Sequence, residues 1–542
     1  MRRYLLILIL LALCLPGWAS PAALPDFQLL DTAGRAHTLH RYRDASAVVL
    51  MAVPREDAAL SERLGAFSAL AEAQAAAKVF CFAVTTAAGP EAAGKVPVLV
   101  DDAQVVLPAL GLSRAFEVVA AGSSDWKPFY RGDLEGLAAA LGRFTQGDTS
   151  PTLNVPTGAP LALASAPDSI SYSHDIAPIL SARCVACHSE GNIGPFAIDS
   201  HKAVKGHAGM IREVVLGGRM PPWNADPRYG EFSNAMGLMA PEKQKLLAWL
   251  DRGAKMDGDA DPLTSISAKP ATKWRLGEPD LVVKLPEPQE IPAEGTLEYK
   301  YYDVALALPA GTWLRGTEVR VTAPEVMHHV LVYMHRPGEH FDFTQEYIAS
   351  YVPGHDPGFF PEGTGKPVPE GAMLLFQLHY TPNGKATTDT PELGLYLHKT
   401  PPAHEIFLGS GVDRDLTIPP NATDAQTEAV FRADDDLLVY SLAPHMHFRG
   451  KRMSFEACYP DGSREMLLSV PQYDFYWQHS YHLATPKRIP RGTAIRVVGA
   501  WDNSVRNPLN PDPSQTLYWG DQSDEEMFIG SILYRKADKS AS

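Results

Sequence analysis

From about Asp280 to the C-terminus, the 542-residue sequence is cut by Pro and Gly into short apolar runs such as Gly371–Tyr380, Gly394–His398 and Thr493–Trp501. Runs of this length are too short for packed helices but suit strands joined by tight turns. Such a texture over nearly half the chain calls for one or two antiparallel β-sandwiches, divided here as 280–402 and 403–537.

The preceding half is built differently. Residues 24–147 alternate strand-like runs, Ala47–Val53 and Val79–Val84, with the Ala- and Leu-rich helical stretch Ala58–Ala77, which is an α/β pattern. A stretch rich in Pro, Ser, Thr and Ala, 148–168, reads as a linker. Residues 169–258 then carry three helical segments, Ile176–Ala182, His201–Leu216 and Glu242–Asp251. The last has Pro241 at its first turn, Leu246, Leu247 and Leu250 on one face, and Gly253 just past its end, so this region is expected to be all-α. The fold class is therefore multidomain: one α/β domain, one all-α domain and two antiparallel β-sandwiches.

At the N-terminus, Arg2 and Arg3 precede the uncharged run Tyr4–Leu15 and the small residues Gly17, Ala19, Ser20 and Ala22. This is the pattern of a secretory signal over 1–22, implying a periplasmic or secreted protein. The run is shorter than the ~20 residues a spanning helix needs, so no membrane span is expected once the signal is removed; whether it is cleaved or kept as an anchor stays open. A lipoprotein signal wants a small residue where Leu13 precedes Cys14. The net charge of −15 excludes a nucleic-acid partner, because phosphate binding needs a basic surface.

Five cysteines, Cys14, Cys81, Cys184, Cys187 and Cys458, are too few for a disulfide framework. Two of them form Cys184-Val-Ala-Cys187-His188. This spacing attaches haem c, with two thiols adding to the vinyl groups and the adjacent histidine ligating iron. The rival, a thioredoxin-type dithiol, opens a helix after a strand, whereas the flanks here are a short helix and a Gly-rich loop. A methionine often supplies the sixth iron ligand. Among Met210, Met220, Met236 and Met239, the expected ligand is Met220, which Gly217-Gly-Arg-Met220-Pro-Pro-Trp holds on a rigid non-helical segment.

Twelve of the eighteen histidines fall between His328 and His482, in three informative groups. His328 and His329 are adjacent, so on a strand they share one metal only at an end or a bulge. His379 ends an apolar strand before Tyr380. His445 and His447 are two apart, which places both imidazoles on one face. Neutral imidazoles with a thioether, for which Met527 is the candidate, suit copper and above all Cu(I). Tyr473, Trp477, His479 and His482 read either as cleft-lining or as core residues.

Two resemblances follow. The opening Leu24-Pro-Asp-Phe, then a strand and a helix, resembles a thioredoxin or peroxiredoxin unit, although Pro54-Arg-Glu-Asp-Ala-Ala lacks the reactive cysteine; this domain is read as redox-inactive, with Cys81 in its core. The ordered set of His-His, lone His before Tyr, His-x-His and Met after an acidic stretch resembles the copper type II, ascorbate-dependent monooxygenases, which include peptidylglycine hydroxylase and dopamine β-hydroxylase. The resemblance covers roughly Asp280 to Arg535. It implies two coppers on two jelly-roll-like domains facing across a solvent-filled cleft: an electron-transfer copper at His328, His329 and His379, and an oxygen-activating copper at His445, His447 and Met527. Peptide-hydroxylating members hold the substrate carboxylate with an arginine and a tyrosine, where this chain has Ala443 and Ser531.

These readings combine into an exported monooxygenase using two copper ions and one covalent haem c. It would hydroxylate a C–H bond of a small substrate with O₂, with haem at His188 relaying electrons to the copper at His328, His329 and His379. An ascorbate-like reductant or a redox protein would be the external donor. The alternative is a non-catalytic copper and haem electron-transfer or redox-sensing protein.

Overall fold

The computed structural model describes residues 23–87, 95–190, 192–265 and 274–538, apart from 296, 310, 340, 343, 345 and 353–357. The proposed signal 1–22, with Cys14, lies outside the described residues. No described helix is long and apolar enough to cross a membrane.

The chain divides into two compact units. The first holds Tyr42–Val98 and Leu107–Ala162. Its sheet runs Val79–Thr85, Ala47–Ala52, Val118–Gly122, Pro128–Gly132, Thr152–Leu153; the first pair is parallel, and the second and third pairs are antiparallel. Every residue of Ala47–Ala52 is buried, as expected for a central strand covered on both faces. Helix Leu60–Gln74 buries Leu64 and Phe67, while Leu134–Thr145 buries Leu137 and Leu141 four residues apart. This is the α/β texture of the sequence. The stretch read as a linker differs in part: Thr152–Leu153 pairs in parallel with Tyr130–Arg131, and Thr157 donates to the Asp133 carboxylate. Cys81 is buried on Val79–Thr85, and burial pushes its thiol up to about 12, so it is no nucleophile at neutral pH.

The second unit holds Asp26–Arg41, Leu99–Val106 and everything from Leu163 onward. Its first part is helical, with Tyr172–Ile176, Ala177–Arg183, His201–Gly206, Ala208–Leu216 and Ala240–Asp251. The expected single helix His201–Leu216 is broken at His207, whose backbone N–H and ring nitrogen both engage the Ala203 carbonyl; Gly206 and Gly209, poor helix formers, flank the break.

Two antiparallel β-sandwiches follow, each with its own core. In the first, a sheet of Lys300–Ala305, Met373–Tyr380, Met327–His335 and Tyr347–Tyr351 faces one built on Trp313–Arg320 and Glu392–Leu397. In the second, Phe407–Val412, Ile529–Lys536, Leu437–His445 and Tyr481–Ile489 form one sheet, and Ala425–Arg432, Ala494–Trp501, Gly450–Cys458 and Arg464–Val470 the other. Val330, Val332, Leu374 and Phe376 alternate inward in the first; Val439, Leu442, Phe455 and Val497 do so in the second.

Candidate metal centres

The first histidine group sits where strand Met327–His335 pairs with Met373–Tyr380. His329 lies opposite His379 and Met327 opposite Tyr380, and the register shifts between them, leaving His328 as the bulged residue. This is the irregularity that adjacent histidines need to face one point. One nitrogen from each of His328, His329 and His379 lies within 4.8 Å of the others. All three rings are buried, and burial is the first cause that lowers their pKa values, that of His379 to about 4. They are therefore neutral imidazoles, and His328 and His329 share a hydrogen bond between their Nδ1 atoms at 3.1 Å.

His329 Nε2 lies 3.2 Å from Gln377 Oε1, so its proton points there, and its Nδ1 lies 3.1 Å from His328 Nδ1, a contact that a metal ion would replace. His328 Nε2 and His379 Nδ1 are buried with no hydrogen-bond partner. Buried polar nitrogens left unpaired are unfavourable unless something else satisfies them. A three-nitrogen set fits a copper ion.

The second group closes strand Leu437–His445. His445 and His447 have ring centroids 5.3 Å apart, while Met446 between them turns fully into the core. Each imidazole is oriented by an oxygen. His445 Nδ1–H donates to Gln478 Oε1 at 2.8 Å, and His447 Nδ1–H to the Glu525 carbonyl at 3.2 Å, which directs both Nε2 atoms away from these partners.

The backbone here is held from two sides. The Tyr473 hydroxyl donates to the Met446 carbonyl at 2.7 Å and accepts from its N–H at 3.1 Å. The fully buried Glu526 carboxylate accepts from His447 N–H at 2.9 Å, Arg449 N–H at 2.6 Å and Trp501 Nε1–H at 3.0 Å. Glu526 thus couples the His-x-His turn to Met527, its chain neighbour. Met527 is buried and lines the same cavity as His445 and His447.

That cavity, about 470 Å³, lies between the two sandwiches and also reaches His329. The expected cleft is thus only part of the relation between the groups. Phe475 fills the space as well, its ring stacking on His328 at 4.7 Å and standing 6.1 Å from His447. Ala443 and Ser531 are direct cross-strand partners and both line the cavity.

In the helical region, Cys184 and Cys187 form no disulfide, and burial pushes the Cys184 thiol up to about 12. A dithiol oxidoreductase needs the opposite shift. His188 Nδ1–H donates to the Phe196 carbonyl at 2.9 Å, leaving Nε2 as the donor atom. A Cβ on Gly194 would meet His188 Nδ1 at 2.7 Å, so only glycine fits beside that ring. These residues fit a covalently tethered haem c with His188 as ligand. Met210 and Met239 are 53% and 59% exposed, whereas Met220 and Met236 are both half-buried, so burial does not choose between these two.

The Met220 segment runs into the second sandwich. His479 Nε2–H donates to the Pro222 carbonyl at 2.6 Å, and Trp223 packs on Tyr481 at 4.8 Å. Ser233 and Ala484 donate across to His482 and Glu231, adding a short bridge at Phe232 and Leu483. Sequence reasoning missed Gln478, Phe475 and Glu526; for Glu526 alone, its place in the acidic stretch before Met527 was a signal.

No protein-family model matches the chain, and no curated protein matches it. Solved structures that resemble it include a hypothetical protein from Sinorhizobium meliloti 1021, at 19% identity over 27% of this chain and 96% of that one, with a TM-score of 0.25. Peroxidoxin BcpB from Mycobacterium tuberculosis matches at 18% identity over 23% and 94%, TM-score 0.21. A thiol:disulfide interchange protein from Bacteroides sp. matches at 14% over 24% and 92%, TM-score 0.21. Each of these matches covers about a quarter of this chain.

Proposed function

We propose that the chain is a copper-dependent monooxygenase with its own haem c electron carrier. The observation that carries this reading is the convergence of His328, His329 and His379, with two orphaned nitrogens, beside a cavity walled by His445, His447 and Met527. Copper at these positions would supply one-electron redox chemistry and oxygen activation, and haem c would supply one-electron transfer. In the overall reaction a substrate C–H becomes C–OH, the second oxygen atom leaves as water, and an external reductant provides two electrons with two protons.

The chain's own residues prepare this chemistry. Cys184 and Cys187 would tether the haem, and His188 Nε2 and Met220 would be its iron ligands. Gln478 and the Glu525 carbonyl hold His445 and His447 in the tautomer that offers Nε2. Glu526 and Tyr473 keep the turn between them from relaxing. The cavity would orient a substrate against this end. A carrier without catalysis has no use for such a cavity, which disfavours the non-catalytic reading.

The test is stopped-flow absorbance of the ferrous haem band after mixing with oxygen and substrate. Reoxidation should require copper, and His379→Ala and His445→Ala should each slow it at least tenfold while keeping the haem spectrum. A variant that reoxidised as fast as the parent protein would refute the reading.

A further inference from the structure

The cavity is walled by two sheet faces. On Met327–His335 the residues His329, Leu331 and Tyr333 alternate toward it, while Val330, Val332 and Met334 turn into the core. On Leu437–His445 the cavity-facing residues are Ser441, Ala443 and His445. Tyr333 lies four residues from His329, roughly 13 Å along the strand. The slot is therefore long, and its volume of about 470 Å³ falls in the range of small-molecule sites.

Its walls say what kind of molecule fits. Leu331, Ile348, Phe360, Leu375, Ile529 and Leu533 are apolar. Among the described residues, only two lining residues besides the histidines can carry a charge. Lys366 is already paired with Glu405, 3.9 Å away, and Asp521 is exposed. The cross-strand pair Ala443 and Ser531 offers no ion to a ligand.

Tyr333 stands apart from the other tyrosines of this lining. It is 6% exposed, and among the described residues its hydroxyl has no hydrogen-bond partner, in contrast to Tyr299, Tyr301, Tyr347 and Tyr440, which pair with Ser523, Gln377, Ser350 and Arg535. Burial raises its pKa, so the hydroxyl stays a donor. A hydroxyl that opens onto an apolar cavity gains a direct partner when a ligand brings an acceptor.

We propose that this cavity binds an uncharged, elongated apolar molecule with one acceptor oxygen, such as a ketone or ether, and that Tyr333 selects it by donating to that oxygen. The inference rests on the monooxygenase reading only for which end of the ligand would react. Binding itself needs no copper.

The experiment is calorimetric titration of the full chain before copper loading, with methyl nonyl ketone, the hydrocarbon of equal length, decanoate and decylamine. The ketone should bind at least tenfold tighter than decanoate or decylamine. Tyr333→Phe should weaken the ketone about fivefold to tenfold and leave the hydrocarbon unchanged, and Ala443→Trp should abolish binding of both. An ion binding tighter than the ketone, an unchanged ketone affinity in Tyr333→Phe, or unimpaired binding in Ala443→Trp would each overturn the proposal. Ketone binding without any oxygen consumption by the copper-loaded protein would sink the monooxygenase reading and leave this one standing.

Discussion

At the bulge in Met327–His335, three imidazoles are gathered chiefly against one another, with two nitrogens unpaired and Gln377 the oxygen acceptor that meets them among the described residues. Across Phe475, His445 and His447 are each oriented by an oxygen, and the turn between them is fastened by Tyr473 and Glu526. The first site is shaped by backbone irregularity and the second by a polar network. A site of the first kind relies on its ion to settle the donors. A site of the second kind is preorganised before any ion arrives, which suits a centre that must also face an open cavity.

The largest expected effect attacks the network. Glu526→Ala leaves three buried N–H groups without an acceptor and deprives buried Arg449 of a nearby opposite charge. It should destabilise the second sandwich by about 3–5 kcal/mol in thermal unfolding, while Glu526→Gln, which keeps an acceptor oxygen, should lose less than half of that. A loss below about 1 kcal/mol for the alanine variant would mean that the network does not hold the turn.

Acid tests the tie between the helical region and the second sandwich. Burial lowers the pKa of His479 from 6.5 to about 4. The folded state thus binds its proton less tightly than the unfolded one; the stability this supplies is present above 6.5 and lost as pH falls through about 4. Denaturant midpoints should therefore fall more across that window in the parent protein than in His479→Leu, by roughly 3 kcal/mol. Parallel curves would show that this histidine is not neutral in the fold.

Copper titrations sharpen the contrast further. Gln478→Leu should weaken copper binding at the His445 site by roughly 10–100-fold, whereas Gln377→Leu should weaken the triad less than about fivefold, since the bulge alone brings its rings together. Equal effects would erase the distinction between the sites. The smallest effect belongs to Met527→Ile, which should lower Cu(I) affinity at one site about tenfold and leave Cu(II) unchanged, because a thioether favours the softer ion.

The order of textures was legible because each depends on local periodicity: Ala47–Val53 as a buried strand, Pro241–Gly253 as a capped helix, and short Pro- and Gly-bounded strands after Asp280. The Cys184-to-His188 spacing was legible for the same reason. His328 and His329 could be paired with one ion only on condition of a bulge, and that bulge depends on register against Met373–Tyr380, nearly fifty residues away. Gln478, Phe475 and Glu526 act through contacts that no local pattern announces. His207 breaks a helix through its own side chain, and Thr152–Leu153 joins a sheet that composition alone reads as a linker.

Copper stoichiometry measured on three proteins side by side tests the central claim most directly. The account predicts about two copper ions per chain for the parent protein and about one for each of His379→Ala and His445→Ala, with all three keeping one haem. A parent protein with a single copper, or a variant that loses both ions at once, would contradict two separate centres.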